Sequence, residues 1–161
     1  MKKNFILLTL ALCMLSCNDD NLNRDMYSYT FTEKSDLTIS TPDDSYMKFG
    51  TIEAGENLVF EYHFTAQDDV QIADDEYGET IKFEIDNSLN EFSYSNTELS
   101  TIDIVFSKHC FCYFPMDASK DVEPIGIISG KKISENTWKI KIDVTFYGEE
   151  IRTIEGSFTL K

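Results

Sequence analysis

Helical periodicity is missing from this chain. Across 161 residues, no stretch of twelve carries apolar side chains at helix spacing, so a helical bundle is excluded. Histidine occurs only twice, which leaves little material for nucleophile–base catalysis or for a histidine-rich metal centre. No nucleophile elbow, phosphate-cradling glycine loop or zinc-protease helix motif is present. Positive charge is also scarce, with 14 Lys and Arg against 29 Asp and Glu. A formal charge of −15 repels phosphate backbones, which argues against nucleic acid as a partner. Long apolar runs are absent but for one. Phe5 to Leu15 is eleven residues with only Thr9 polar, too short to cross a hydrocarbon core of about 30 Å as a helix.

What the chain does have is alternation. From Met26 onward, apolar and polar residues trade places with period two, the signature of half-buried strands. Tyr27, Tyr29 and Phe31 share one face. So do Leu58, Phe60, Tyr62 and Phe64, then Ile81, Phe83 and Ile85. Phe92 with Tyr94 and Ile102 to Phe106 follow, with shorter segments at 37–40, 47–52 and 125–128. The clearest strand holds Trp138, Ile140, Ile142, Val144 and Phe146, and a turn at Gly148 returns it through Ile154, Gly156, Phe158 and Leu160. Gly156 at a core-facing position predicts a bulge or a close neighbour, for which Trp138 is the expected contact. Breakers at 42–44, 54–56, 74–78, 87–88, 96–97 and 130–131 separate the runs. Eight to ten short strands predict an all-β fold, an antiparallel sandwich of immunoglobulin-like type, with a lipocalin-like barrel as the alternative.

The N-terminus reads as an address. Lys2 and Lys3 precede the apolar run, and Ser16-Cys17 follows it directly. This order resembles the lipobox of bacterial lipoproteins, with Met14 where the common pattern has Leu. The resemblance implies cleavage before Cys17 and acylation of Cys17, giving a signal peptide at 1–16, an anchor and tether at 17–25, and one β-sandwich domain at 26–161. Asn18 to Asp20 is similar to the acidic export signal of Bacteroidota surface lipoproteins. That implies the outer face of the outer membrane, with the periplasmic face as the alternative. Loss of residues 1–16 removes Lys2 and Lys3 and no acid, so 12 cations then face 29 acids, a net −17.

Three further groupings bear on chemistry. Cys110 and Cys112 flank Phe111, with His109 before them. On a straight strand their Cα atoms stand about 6.6 Å apart on one face, long for a disulfide. Burial as small hydrophobes is the leading reading, ahead of a local disulfide and of metal or redox chemistry. The acidic segment 68–79 offers carboxylates but not the spacing of a calcium loop, so a solvated loop is expected. Eight tyrosines would stack on sugars if exposed together, though most occupy strand positions that pack inward.

The sequence therefore predicts a lipoprotein without cofactor or metal, held to a lipid bilayer through acylated Cys17. It acts as a non-catalytic binding or structural module with a protein or glycan ligand. An acidic capture protein for a basic partner is the alternative, a carbohydrate-binding accessory protein another, and a hydrolase the last.

Overall fold

A computed structural model describes residues 24–69 and 71–161, and Cys17 with the rest of the signal and most of the tether lies outside them. Eight strands carry the alternation: β1 (Met26–Ser40), β2 (Phe49–Thr65), β3 (Tyr77–Ile85), β4 (Glu91–Ser95), β5 (Ile104–Cys110), β6 (Ile125–Ser134), β7 (Thr137–Phe146) and β8 (Glu150–Leu160). Helix among the described residues is confined to 3-10 turns such as Asn96–Thr101 and Ala118–Lys120. The strands form one sheet in the order β4-β6-β7-β8-β1-β2-β3-β5. Its edges, β4 and β5, do not pair, so the fold is an all-β open sheet folded over as a sandwich, and the closed barrel is ruled out.

The fold-over occurs at β1 and β8. These are parallel and pair only at Thr30–Thr159 and Phe31–Leu160, while the remaining neighbours are antiparallel. Two pairs are a short seam, which lets the halves close face to face. Phe60 of β2 meets Trp138 of β7 edge-on at 5.5 Å and Phe158 of β8 at 5.8 Å. Phe83 of β3 meets Phe92 of β4 at 6.0 Å. Phe106 of β5 stacks on Phe146 of β7 at 5.4 Å. Phe60, Phe83, Phe106 and Phe158 are fully buried, each contributing roughly 1.5–3 kcal/mol of transfer free energy.

The breaker read at 54–56 lies inside β2. Ser35 pairs with both Ala54 and Asn57, so Gly55 and Glu56 are extra residues bulged out of the ladder, opposite Lys34 at φ 53°. A bulge bends a strand where a loop would end it. Beyond it, the distal half of the β1–β2 hairpin turns over the outer face of β2, β3 and β5. Leu37 N–H donates to Glu84 Oε2 at 2.5 Å, Lys82 Nζ to Gly50 O at 2.7 Å and Ser107 Oγ to Lys48 O at 2.8 Å. Leu37, Val59 and Val105 make a second small core beneath it, with Ile39 and Ile52. The 130–131 breaker is likewise inside β6, whose turn falls at Glu135–Asn136.

Gly156 does admit a close neighbour, but it is Tyr29 rather than Trp138. A Cβ on Gly156 would lie 2.6 Å from the Tyr29 ring, which fills the gap where β1 and β8 diverge.

Candidate interaction surface

Strand direction brings most connections to one end. β1 starts at that end with Met26, opposite Thr65, and Thr65 in turn faces Gly78, next to the Tyr77–Cys110 pair that ends β5. The β2–β3 connection (66–76) therefore lies there, and the β5–β6 crossover (111–124) starts there. In the other layer, Ile125, Thr145 and Ile151 form one cross-strand row. Arg152 and Glu150 beside that row reach Glu79 and Lys108 of β3 and β5, so the β8 side of the row lies at this end. The tip of the folded-over hairpin arrives at the same end, with Ser45 bridged to Pro115.

Among the described residues, eleven large hydrophobic side chains are exposed, and seven of them gather at this end. Met26 and Tyr27 open β1, Ile72 tops the 66–76 connection, and Ile151 opens β8. Phe111 is 88% exposed and Tyr113 79%, with Met116 further along the crossover. Val122 and Ile125 instead line an apolar groove of about 370 Å³ with Pro124, Asn96 and Thr97, toward the start of β5 at Ile104. Ile127 lies within β6, and Ile133 sits near the β6–β7 turn. Scattered surface apolars are ordinary, but this clustering is not.

The crossover is held firmly behind its exposed tips. Cys110 and Cys112 are joined by a disulfide with Cα atoms 5.1 Å apart. The leading reading of the pair as buried hydrophobes is therefore corrected: Cys110 is half-buried and Cys112 exposed. The straight-strand distance does not apply because β5 ends at Cys110 and the chain bends at Phe111. Met116 N–H donates to Asp44 O at 3.1 Å, and Phe114 packs edge-on against Tyr46 at 5.8 Å. Tyr46 in turn meets Tyr147 at 5.3 Å, whose hydroxyl donates to Phe106 O at 2.6 Å. Phe111 and Tyr113 thus stand out from a braced support, which lowers the entropy lost on binding.

Acids ring these side chains. Asp68, Asp69, Asp74 and Glu76 are exposed on the 66–76 connection, Asp43 and Asp44 at the hairpin tip, and Asp117 and Glu123 on the crossover. Lys48 and Lys120 at this end are paired with Asp121 and Glu149. Within the 66–76 connection the carboxylates brace backbone. Asp69 N–H donates to Asp75 Oδ2 at 2.5 Å, and Gln71 N–H to Asp69 Oδ1 at 2.9 Å. Among the described residues no three His, Cys, Asp or Glu side chains converge as a metal site.

A charged network lies behind the surface, and sequence reading missed it. Arg152 donates from Nε to Glu79 Oε2 at 2.7 Å and from Nη2 to Glu79 Oε1 at 2.6 Å, with a further bond to Glu150 at 3.1 Å. Its guanidinium sits 4.5 Å from the Phe106 ring centre, and Lys108 closes on Glu150. Burial works against both charges, but the partners outweigh it. Arg152 is held above its ordinary value by Glu79 and Glu150, and the Glu150 carboxyl below its own by Lys108 and Arg152. Tyr77, which donates to Glu79 at 2.5 Å, is pushed up to about 12 by burial and by that bond. Each carboxylate is matched by a cation, and the network joins the two layers. The signal was parity. Arg152 shares the inward face of Ile154 and Phe158, and Glu79 that of Ile81 and Phe83.

His63 and His109, far apart in sequence, meet on the outer face. Thr80 Oγ1 lies 3.1 Å from His63 Nδ1 and 2.9 Å from His109 Nε2, and the ring centres are 6.2 Å apart. His63 Nε2 is 3.0 Å from Thr65 Oγ1. Hydroxyls meet both ring nitrogens of His63 and one of His109, and among the described residues no carboxylate is hydrogen-bonded to either ring.

Comparison with protein-family models, with curated proteins and with solved structures gave no match.

Proposed function

We propose that this chain is a lipid-anchored, non-catalytic binding module of the bacterial cell envelope, displayed at the outer membrane, which takes a protein partner on its apolar, acid-rimmed end. The observation that carries this reading is the gathering of seven of the eleven exposed large hydrophobics, Phe111 and Tyr113 foremost, at one end of the sandwich. Aromatic and Met side chains surrounded by charge reproduce the layout of a protein interface, with an apolar centre and a polar rim. The glycan alternative is weaker, because of the eight tyrosines only Tyr27 and Tyr113 are exposed, on separate elements. The acidic rim supports the capture alternative as one aspect of the same surface, directed at a basic partner.

The test joins address and surface. Mass spectrometry of the mature protein should find acylated Cys17 at its N-terminus, and Cys17→Ala should leave the membrane fraction. Mild detergent extracts should carry the wild-type chain in a species larger than the monomer on native electrophoresis. Phe111→Asp with Tyr113→Asp should return it to monomer. A wild-type chain already monomeric in such extracts refutes the binding reading.

A further inference from the structure

We infer that the partner taken by this end is an integral protein of the anchoring membrane, presenting a basic rim around an apolar pocket, rather than a soluble ligand. This rests on the anchored reading above and adds where the partner must be. Nine residue steps from Cys17 to Met26 span at most about 32 Å when fully extended. They lead into Met26, which lies at the apolar end and not at the opposite one. Cys110 is three strand positions away on the same edge, about 14 Å at about 4.8 Å per strand. Phe111 and Tyr113 are therefore confined to a shell of roughly 50–55 Å around the acylated sulfur by covalent reach. The opposite end, with Ile133, is free to point away.

Two surfaces lie permanently within that shell: the bilayer and the proteins embedded in it. Charge favours the second. Asp68, Asp69, Asp74 and Glu76 project beside Ile72, so bringing the apolar tips into anionic headgroups presses carboxylates against phosphates. A basic rim on a protein turns the same carboxylates into an attraction and pairs them as the apolar centre is buried.

The experiment is photocrosslinking in living cells that make the full-length chain, with p-benzoylphenylalanine at position 111, 113 or 133. The expected result is one protein adduct from 111 and from 113, absent from 133, that stays in the membrane after alkaline carbonate extraction. Its yield should fall at least fivefold when Asp68, Asp69 and Asp74 are all changed to Lys, and several-fold with the milder Asn changes should the Lys chain fail to fold. Adducts with lipid alone, with a carbonate-extractable protein, equally from 133, or insensitive to the charge changes overturn the inference. Mass spectrometry of the same samples separates the two levels. An unacylated Cys17 refutes the anchored reading and the distance limit with it, whereas acylated chain without the adduct refutes the inference alone.

Discussion

Arg152 of β8 grips both carboxylate oxygens of Glu79 across the interlayer gap, at 2.7 and 2.6 Å, while also holding Glu150 of its own strand. All three side chains are largely buried. Removing the cation leaves Glu79 without one in a partly dry gap, beside Glu150, which keeps Lys108. Arg152→Ala should therefore cost about 2–4 kcal/mol at neutral pH. The penalty has a pH signature. Glu150 is held below its ordinary value in the folded chain, so its contribution is present above the unfolded pKa of about 4.3 and is lost as pH falls through the folded value. The gap between wild type and Arg152→Ala should narrow from pH 7 to pH 3.5, as read by urea denaturation at each pH. A gap that stays constant would show that the loss is packing alone.

Tyr29 fixes the identity of residue 156. The Gly156 Cα lies under the Tyr29 ring, and an added Cβ would meet ring atoms at 2.6 and 2.7 Å. Gly156→Ala should destabilise by about 1–3 kcal/mol through overpacking, although alanine is otherwise better tolerated in a strand. Tyr29→Ser should absorb much of that loss. A double-mutant cycle then gives a coupling of about 1 kcal/mol or more between the two sites. Additive losses would mean that the ring is not what excludes the side chain.

Alternation made the inner faces legible. Phe60, Ile81, Phe83, Trp138, Ile140 and Phe158 all fall in the core as their parity requires, because burying one face is the main free-energy gain of a strand. Strand ends were less legible. Gly55 is a breaker by residue type, but here it occupies a bulge that Asp36 braces, accepting from Glu56 N–H and Asn57 Nδ2. Local propensity cannot separate a bulge from a turn, since both favour glycine. The candidate surface was not legible, because exposure at one end follows from which strands run which way. Met26, Ile72, Phe111 and Ile151 have no common sequence pattern. The pairings Thr65–Gly78 and Tyr77–Cys110 bring three of them to one edge. Cys110 and Cys112 were located as a pair, but their bonding depended on a bend at Phe111 that regular strand geometry does not contain.

The disulfide should matter more for the loop than for the fold. It closes a loop of only three residues, which constrains the unfolded chain by at most about 1.6 kcal/mol on the chain-entropy estimate. Changing both Cys110 and Cys112 to Ser should shift the urea midpoint only slightly. Limited proteolysis should show the difference, with chymotrypsin cutting after Phe111 or Tyr113 at least several-fold faster in the variant or in reduced wild type. Equal cutting rates would place the bracing of this segment in the Ser45–Pro115 bridge and the Tyr46–Phe114 contact instead.

Mild acid should loosen the chain through His109. Although much of this side chain is open to solvent, partial burial pushes its pKa below the ordinary value. His63 from β2 and Lys82 from β3 push the same way, and Glu61 pulls against them. Phe49 of the folded-over hairpin packs 6.4 Å from its ring. A depressed folded pKa means that the unfolded chain takes up the proton first, so stability falls as pH drops through about 6.5. Most carboxylates titrate below pH 5, so the interval from 7.5 to 5.5 is where His109 is read. The melting temperature of the wild-type chain should decline across that interval, and His109→Gln should remove part of the decline. Glutamine keeps a polar group within reach of Thr80 and carries no titrating proton. A decline of the same size in the variant would assign the effect elsewhere, and no decline in the wild type would mean that Glu61 offsets the other two charges.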